Sequence, residues 1–481
     1  MQFNIKKFFK NIQNNNENNL INENNIYDYD IKEDKEKYVT NKKPPQWNVI
    51  SKYSIGPNNY YIYRGEDGLV HLLVNEPKMS NKDELIEVIS GIRKTTSNIM
   101  QYEIEKLKSG YGAIYPLIID PHVEEISYSG YTTYVSIIHK LIPARWIIAD
   151  LNILKDEADS IAIELARKAG KTVSIASPYA EGITSEGNRI SVSFMSEISH
   201  FGSSFILRKY PEKPLTMVDL IASKVLSPSL AAYLWLLAES QGFIIISGSM
   251  GSGKTTFLQA LASLLPPYSK IITIEDTPEL KLLSPNWDSF ITRPKLPGEE
   301  IVEVSLEDLL KFALRRRADY VIVGEVRGRE AKLLAQAATS GYGAMTTIHA
   351  DSSEGVILRL RFEPIKLPAL FMKAITAIAH IRTLPSLGGK SIRKIFEVSE
   401  IDNDNIIEIY KIGNSQDLLE KIIARSSKLE AACERLGFHY SEVLDELKSR
   451  VEFLENSTGK TPEEFYVSLS KFYVDKYGDI I

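Results

Sequence analysis

Eight residues, Gly248-Ser249-Met250-Gly251-Ser252-Gly253-Lys254-Thr255, constrain this 481-residue chain more than any other stretch. They follow the apolar run Phe243 to Ile246 and precede the helix-forming Thr256 to Leu264. The spacing G-x-x-x-x-G-K-[ST] between a strand and a helix is that of a phosphate-binding loop. Glycine keeps side chains out of such a loop, so successive backbone N–H groups can close on phosphate oxygens, and the positive end of the following helix adds attraction. On this reading Gly248, Ser249, Met250, Gly251, Ser252, Gly253, Lys254, Thr255 and Thr256 form the ATP-binding segment. Lys254 is expected to reach the β- and γ-phosphates and Thr255 to ligate Mg²⁺. Further apolar runs at Ile271 to Ile274 and Tyr320 to Val323 alternate with helical stretches, which predicts a parallel sheet with crossover helices.

Hydrolysis needs a carboxylate beside the phosphates. The run Ile271-Ile272-Thr273-Ile274 ends in Glu275-Asp276, and Tyr320-Val321-Ile322-Val323 leads through Gly324 to Glu325. In a parallel sheet, carboxylates at strand C-termini gather at the edge that carries the phosphate loop. Glu325 is therefore the expected general base or water-orienting residue, with Glu275 assisting as a catalytic and metal-shell group. The segment Gly341 to Asp351 places His349 after another strand, where it is expected to bond the γ-phosphate or an acidic partner.

The rest of the chain divides around this domain. Residues 1–45 are rich in Asn and charge and read as a flexible arm. Within the arm Ile5, Phe8, Phe9 and Ile12 form an apolar stripe opposite Lys6, Lys7 and Lys10, expected to order on a membrane or a membrane protein. Residues 46–205 carry aromatic and β-branched runs and one amphipathic helix, with Ala158, Ile161, Ala162, Leu165 and Ala166 on one face and Gly170 ending it. That pattern predicts an α+β domain. Residues 206–216, with Pro211 and Pro214, read as a linker, 217–400 as the α/β phosphate-loop domain, and 401–481 as a helical subdomain.

Composition sets the outer bounds. Hydrophobic residues at 44% and charged residues at 25% supply sizeable cores. A net charge of -5 leaves no overall basic field, so nucleic acid is not the expected main partner. The single cysteine, Cys433, excludes an intrachain disulfide and a Cys-rich zinc site and fits a reducing, cytoplasmic setting. No run approaches the roughly 18 apolar residues of a membrane span, and no signal-peptide pattern opens the chain, so any membrane attachment is expected to be peripheral.

Four stations taken in chain order resemble the type II/IV secretion ATPase superfamily, the ring-forming motors of pili, archaella and secretion systems. They are the Walker A loop, the acidic box Ile274-Glu275-Asp276-Thr277-Pro278-Glu279, the Walker B run from Arg317 to Gly328, and the histidine box Thr347-Ile348-His349-Ala350-Asp351. Asp120-Pro121-His122-Val123-Glu124-Glu125-Ile126-Ser127 also looks like that family's N-terminal domain, so the resemblance covers about residues 120–400. It implies a RecA-like P-loop NTPase domain with a parallel-rich sheet, preceded by a smaller α+β domain and followed by a helical tail. It further implies Mg-ATP between the domains of a homohexameric ring, acting on a polytopic membrane platform protein at the cytoplasmic face. Arginines leading into the motor domain approach the phosphates in this family, which makes Arg208, and less directly Arg189, site residues. The tetracysteine insertion of bacterial members is absent, and the tail with Phe465-Tyr466 and Phe472-Tyr473 looks like the archaeal branch, implying a pilus or archaellum assembly motor. The alternatives are a DNA-transfer or conjugation-type motor, for which Arg315-Arg316-Arg317 speaks, and a nucleotide-gated scaffold with little turnover.

Overall fold

The computed structural model describes residues 48–77, 97–210, 213–293, 302–385, 391–402, 405–413 and 419–478. The N-terminal arm with its Ile5, Phe8, Phe9 and Ile12 stripe, and Pro211 of the expected linker, lie outside them. Nine strands form the first sheet: β1 (Val49–Ile55), β2 (Asn58–Arg64), β3 (Val70–Asn75), β4 (Val123–Tyr128), β5 (Tyr134–His139), β6 (Ile142–Asn152), β7 (Tyr179–Ile183), β8 (Arg189–Ser193) and β9 (Ser204–Arg208). Their order is β1-β2-β3-β6-β5-β4-β9-β8-β7, antiparallel except for the β3–β6 pair. Helix α1 (Lys155–Lys168) buries Ala158, Ile161, Ala162, Leu165 and Ala166 against this sheet, and the chain turns away after it at Gly170, φ +68°. β9 runs across the expected boundary at 205, so three residues assigned to the linker complete the sheet.

The second sheet carries eight strands: β10 (Phe243–Ser247), β11 (Ile271–Glu275), β12 (Trp287–Ile291), β13 (Tyr320–Val323), β14 (Gly343–Ile348), β15 (Ile375–Pro385), β16 (Ser391–Asp402) and β17 (Asn405–Lys411). Their order is β12-β11-β13-β14-β10-β15-β16-β17, parallel from β12 to β15 and antiparallel beyond. β10, β11, β13 and β14 are buried along their whole length. Helices on both faces bury every residue of such strands, which explains why they read as continuous apolar runs rather than alternating ones. Ile244 and Ile246 of β10 enter a cluster with α2 (Met217–Ala222), α3 (Pro228–Glu239) and α4 (Lys254–Ala262). Phe243 and Ile245 enter the opposite cluster with α5 (Leu306–Ala313), α6 (Glu330–Thr339) and α7 (Ser353–Arg361). The expected boundary at 400 falls inside β16, because β16 and β17 fold back as antiparallel strands of the second sheet before the helices begin.

The tail helices α8 (Leu419–Arg425), α9 (Leu429–Leu436), α10 (Val443–Asn456) and α11 (Pro462–Tyr477) pack into the same core as α3. Trp235 of α3 is fully buried among Phe453, Phe472 and Tyr473, and its Nε1 donates to the Tyr473 hydroxyl at 2.9 Å. The wholly buried Arg450 guanidinium lies 2.7 Å from Glu239 Oε2 and 2.9 Å from Glu446 Oε1, and 4.5 Å from the Trp235 ring centre. Burial alone would raise the Glu239 value, but Arg450 and the Tyr477 hydroxyl outweigh it and hold the carboxyl below its ordinary range. No helix among the described residues is long and apolar enough to cross a membrane.

The tail is thus fastened by an ion pair inside a hydrophobic core, where loss of one partner is costly. Arg450→Met leaves the Glu239 carboxylate buried without its cation and is expected to cost about 3–5 kcal/mol in urea unfolding. Because the folded Glu239 value is depressed, the stabilisation is present above the ordinary carboxylate value and fades as the pH falls through the lower folded one, so the wild-type advantage over Arg450→Met should shrink in acid.

Candidate nucleotide site

β10 is flanked by β14 on one side and β15 on the other, with Ser247 in register with Ile348 and His380. The phosphate loop leaves β10 at Gly248 and enters α4 at Lys254. Gly251 and Gly253 take φ +72° and +98°, a left-handed conformation that side chains disfavour. Gly248 is required for a different reason. A Cβ there would lie 2.5 Å from Ser252 Oγ and 2.6 Å from the Ile381 carbonyl oxygen. Met250, at the crest, is 89% exposed.

A buried polar relay supports the loop from below. His380 Nδ1 lies 2.9 Å from Ser247 Oγ, Arg382 Nε donates to His380 Nε2 at 2.9 Å, and Arg382 Nη2 donates to the Asp351 carbonyl at 2.8 Å. Burial and the neighbouring Arg382 pull the His380 value down to about 4, so the ring is neutral and its Nδ1–H donates to Ser247. The relay ties the phosphate loop to the end of the histidine box. Sequence reasoning passed over His380 and Arg382, although two cationic residue types within an apolar strand run were a legible signal.

Above the loop, three predicted residues converge. Lys254 is 7% exposed, and its Nζ donates to the Ser249 carbonyl at 3.0 Å and lies 3.2 Å from His349 Nδ1. His349 Nε2 in turn lies 3.2 Å from Glu325 Oε1. Burial and the adjacent Lys254 lower the His349 value, which favours the neutral imidazole, with Nδ1 accepting from Lys254 and Nε2 facing the Glu325 carboxylate. Burial also lowers Lys254, against the pull of Glu325. Glu325 is placed by backbone pairing: Thr347 Oγ1 donates to the Gly324 carbonyl at 2.7 Å and the Val326 N–H to the Thr347 carbonyl at 3.0 Å. Arg327, which the sequence reading did not single out, grips Glu325 in a fork, Nε to Oε1 at 2.9 Å and Nη2 to Oε2 at 2.7 Å. Burial alone would raise the Glu325 value, but Arg327 foremost holds it low and the carboxylate ionised. Glu330 Oε1 accepts the N–H groups of Arg327 and Gly328 at 2.5 and 2.6 Å and so shapes that turn.

Glu275 sits apart from this line. Its Oε1 accepts the N–H groups of Glu279 and Leu280 at 3.0 and 3.1 Å, and its Oε2 is buried with no hydrogen-bond partner. Burial pushes its value up to about 8. Arg208 pairs with Glu279 of the acidic box at 3.0 Å, and the Tyr210 hydroxyl donates to the Leu280 carbonyl at 2.8 Å. Arg208 was expected at the phosphates; here it is paired with the acidic box instead. Arg189 stands opposite Arg208 in the β8–β9 ladder. An open cavity of about 300 Å³ lies over the loop, lined by Gly248, Ser249, His349, Asp351, Gly355 and Arg359.

A glycine loop between a buried parallel strand and a helix, with a lysine inside it and a carboxylate two strands away, defines a P-loop nucleotide-binding domain. Residues 183–403 match the family described as Type II/IV secretion system protein. An uncharacterized protein of Methanocaldococcus jannaschii is 41% identical over 268 residues, covering 54% of this chain and 99% of that protein. The Type IV secretion system protein VirB11 of Bartonella quintana is 30% identical over 198 residues, covering 41% of this chain and 52% of that protein. The X-ray structure of the Yersinia pseudotuberculosis ATPase DotB aligns at 16% identity with a TM-score of 0.44, covering 79% of this chain and 95% of that one. This chain belongs to the type II/IV secretion system protein family.

The crowding around Gly248 is testable. A methyl group there meets a strand carbonyl that cannot yield, so Gly248→Ala should weaken ADP binding by at least about tenfold in calorimetric titration. Met250→Ala, at the exposed crest, should stay within about twofold of wild type.

Proposed function

We propose that this chain is a Mg-dependent ATPase whose turnover powers assembly of a pilus-like or archaellum-type filament through a membrane platform protein. The observation that carries the reading is the line Lys254–His349–Glu325 across the mouth of the phosphate loop. Lys254 meets the charge of the β- and γ-phosphates, which restores the ammonium that burial disfavours. Glu325, kept ionised, orients the attacking water once the Arg327 fork opens, and His349 joins the two and senses the γ-phosphate. The oxygen donors suit magnesium: Thr255 stands in the first turn of α4, and the buried Glu275 Oε2, which has no partner and whose burial keeps the carboxyl protonated, would ionise on meeting the cation. When bound, Mg²⁺ supplies charge that offsets the β- and γ-oxygens.

Domain closure turns this chemistry into motion in the proposed scheme. Arg208 exchanges Glu279 for the phosphates as the first domain swings, within a homohexameric ring at the cytoplasmic face of the membrane. Family membership, the M. jannaschii relative and the helical tail support the archaeal filament reading. The DNA-transfer reading leans on Arg315-Arg316-Arg317, of which Arg316 is already engaged by Asp288 at 3.0 Å and lies over Phe290 and Phe312.

Lys254→Ala should abolish ATP binding, whereas Glu325→Gln should bind ATP normally and lose turnover by about 100-fold or more, measured as phosphate release with Mg²⁺. Turnover of Glu325→Gln within about threefold of wild type would remove Glu325 from the role of base. Arg208→Ala should lower kcat more than it raises KM, because its phosphate contact strengthens as charge develops. A change confined to KM would mark simple ground-state binding.

A further inference from the structure

The phosphate loop has two sides, and the conspicuous charged residues above it, Lys254, His349 and Glu325, stand on one. Lys254 leans toward β14, where His349 and Glu325 stand, which on the ATP reading above makes that side the γ-phosphate end. On the other side, beyond β15, lies β16, where Arg393 is in register with Thr383. Its Cδ and Nε lie 3.3 and 3.7 Å from the point a Cβ on Gly253 would occupy, against the start of α4. Arg393 is half-buried, and among the described residues no hydrogen-bond acceptor or carboxylate pairs with it. Arg382, the other arginine of the β15–β16 hairpin nearby, is fully committed to His380, Asp351 and the Phe396 ring.

A half-buried guanidinium held against the positive end of a helix, without a counter-charge, is electrostatically unfavourable until an anion arrives. The fork geometry of arginine suits a phosphate oxygen pair better than a point cation would. We infer that Arg393 binds the nucleoside end of the nucleotide, its guanidinium paired with the α-phosphate on the side of the loop opposite Glu325. This deepens the ATP reading above and rests on it. Because ADP and ATP share the α-phosphate, the contact strengthens both equally, unlike contacts from Lys254 and His349.

Titrate ADP and a non-hydrolysable ATP analogue into wild type, Arg393→Ala and Arg393→Lys, with Arg393→Gln replacing the alanine variant if that one fails to fold. Arg393→Ala should raise both dissociation constants by about tenfold and by the same factor, with Arg393→Lys between the two. A rise for the ATP analogue alone would put Arg393 at the γ-phosphate and overturn the inference. Affinities within about twofold of wild type for both nucleotides would overturn it as well, while leaving the ATP reading standing. If wild type binds neither nucleotide, the ATP reading falls and this one falls with it.

Discussion

The Lys254 ammonium and the Glu325 carboxylate lie on opposite sides of one imidazole, and the rest of the site depends on the sheet order that allows it. Glu325 follows β13, which does not touch β10; β14 is inserted between them. The insertion leaves a gap between the phosphate loop and the carboxylate, and the residue that follows β14 is the histidine that fills it. A carboxylate on the adjacent strand would pair directly with the lysine. Two strands away, it is held by the Arg327 fork, and the neutral ring stands between the two charges.

Much of this was legible in the sequence because it is local. The glycine spacing, the apolar runs that became β10, β11 and β13, and the stripe of α1 each follow from neighbours within a few residues. What stayed hidden depends on strands far apart in the chain. Nothing near Arg393 signals that β16 doubles back beside Gly253, and nothing near Ser247 signals that His380 will sit beneath it. The domain limits at 205 and 400 were displaced because sheet pairing runs past them: β9 sits between β8 and the distant β4, and β16 and β17 extend the second sheet as antiparallel neighbours of β15. Glu275 shows the same gap at finer scale. Its position after a strand was readable, but not that its carboxylate would be taken by the amides of Glu279 and Leu280.

The acidic box is held from both domains. Its loop is capped by Glu275 from the motor sheet and gripped by Arg208 and Tyr210 from the first domain. A shift of the first sheet therefore pulls directly on the backbone that positions Glu275. The Arg208–Glu279 pair is partly exposed and contributes little to stability. The Arg450–Glu239 pair is buried, which suits a contact meant to last.

The fastening of the tail has a consequence for how the protein is made. Among the described residues the first domain's core uses none beyond Leu207, so it can close early, whereas Trp235 waits for Tyr473, 238 residues later. At about 5–20 residues per second the ribosome needs roughly 10–50 s to cover that distance. Throughout that interval the nascent motor domain presents an uncovered apolar face, and shielding it until the final helices emerge becomes a task for the cell's folding machinery.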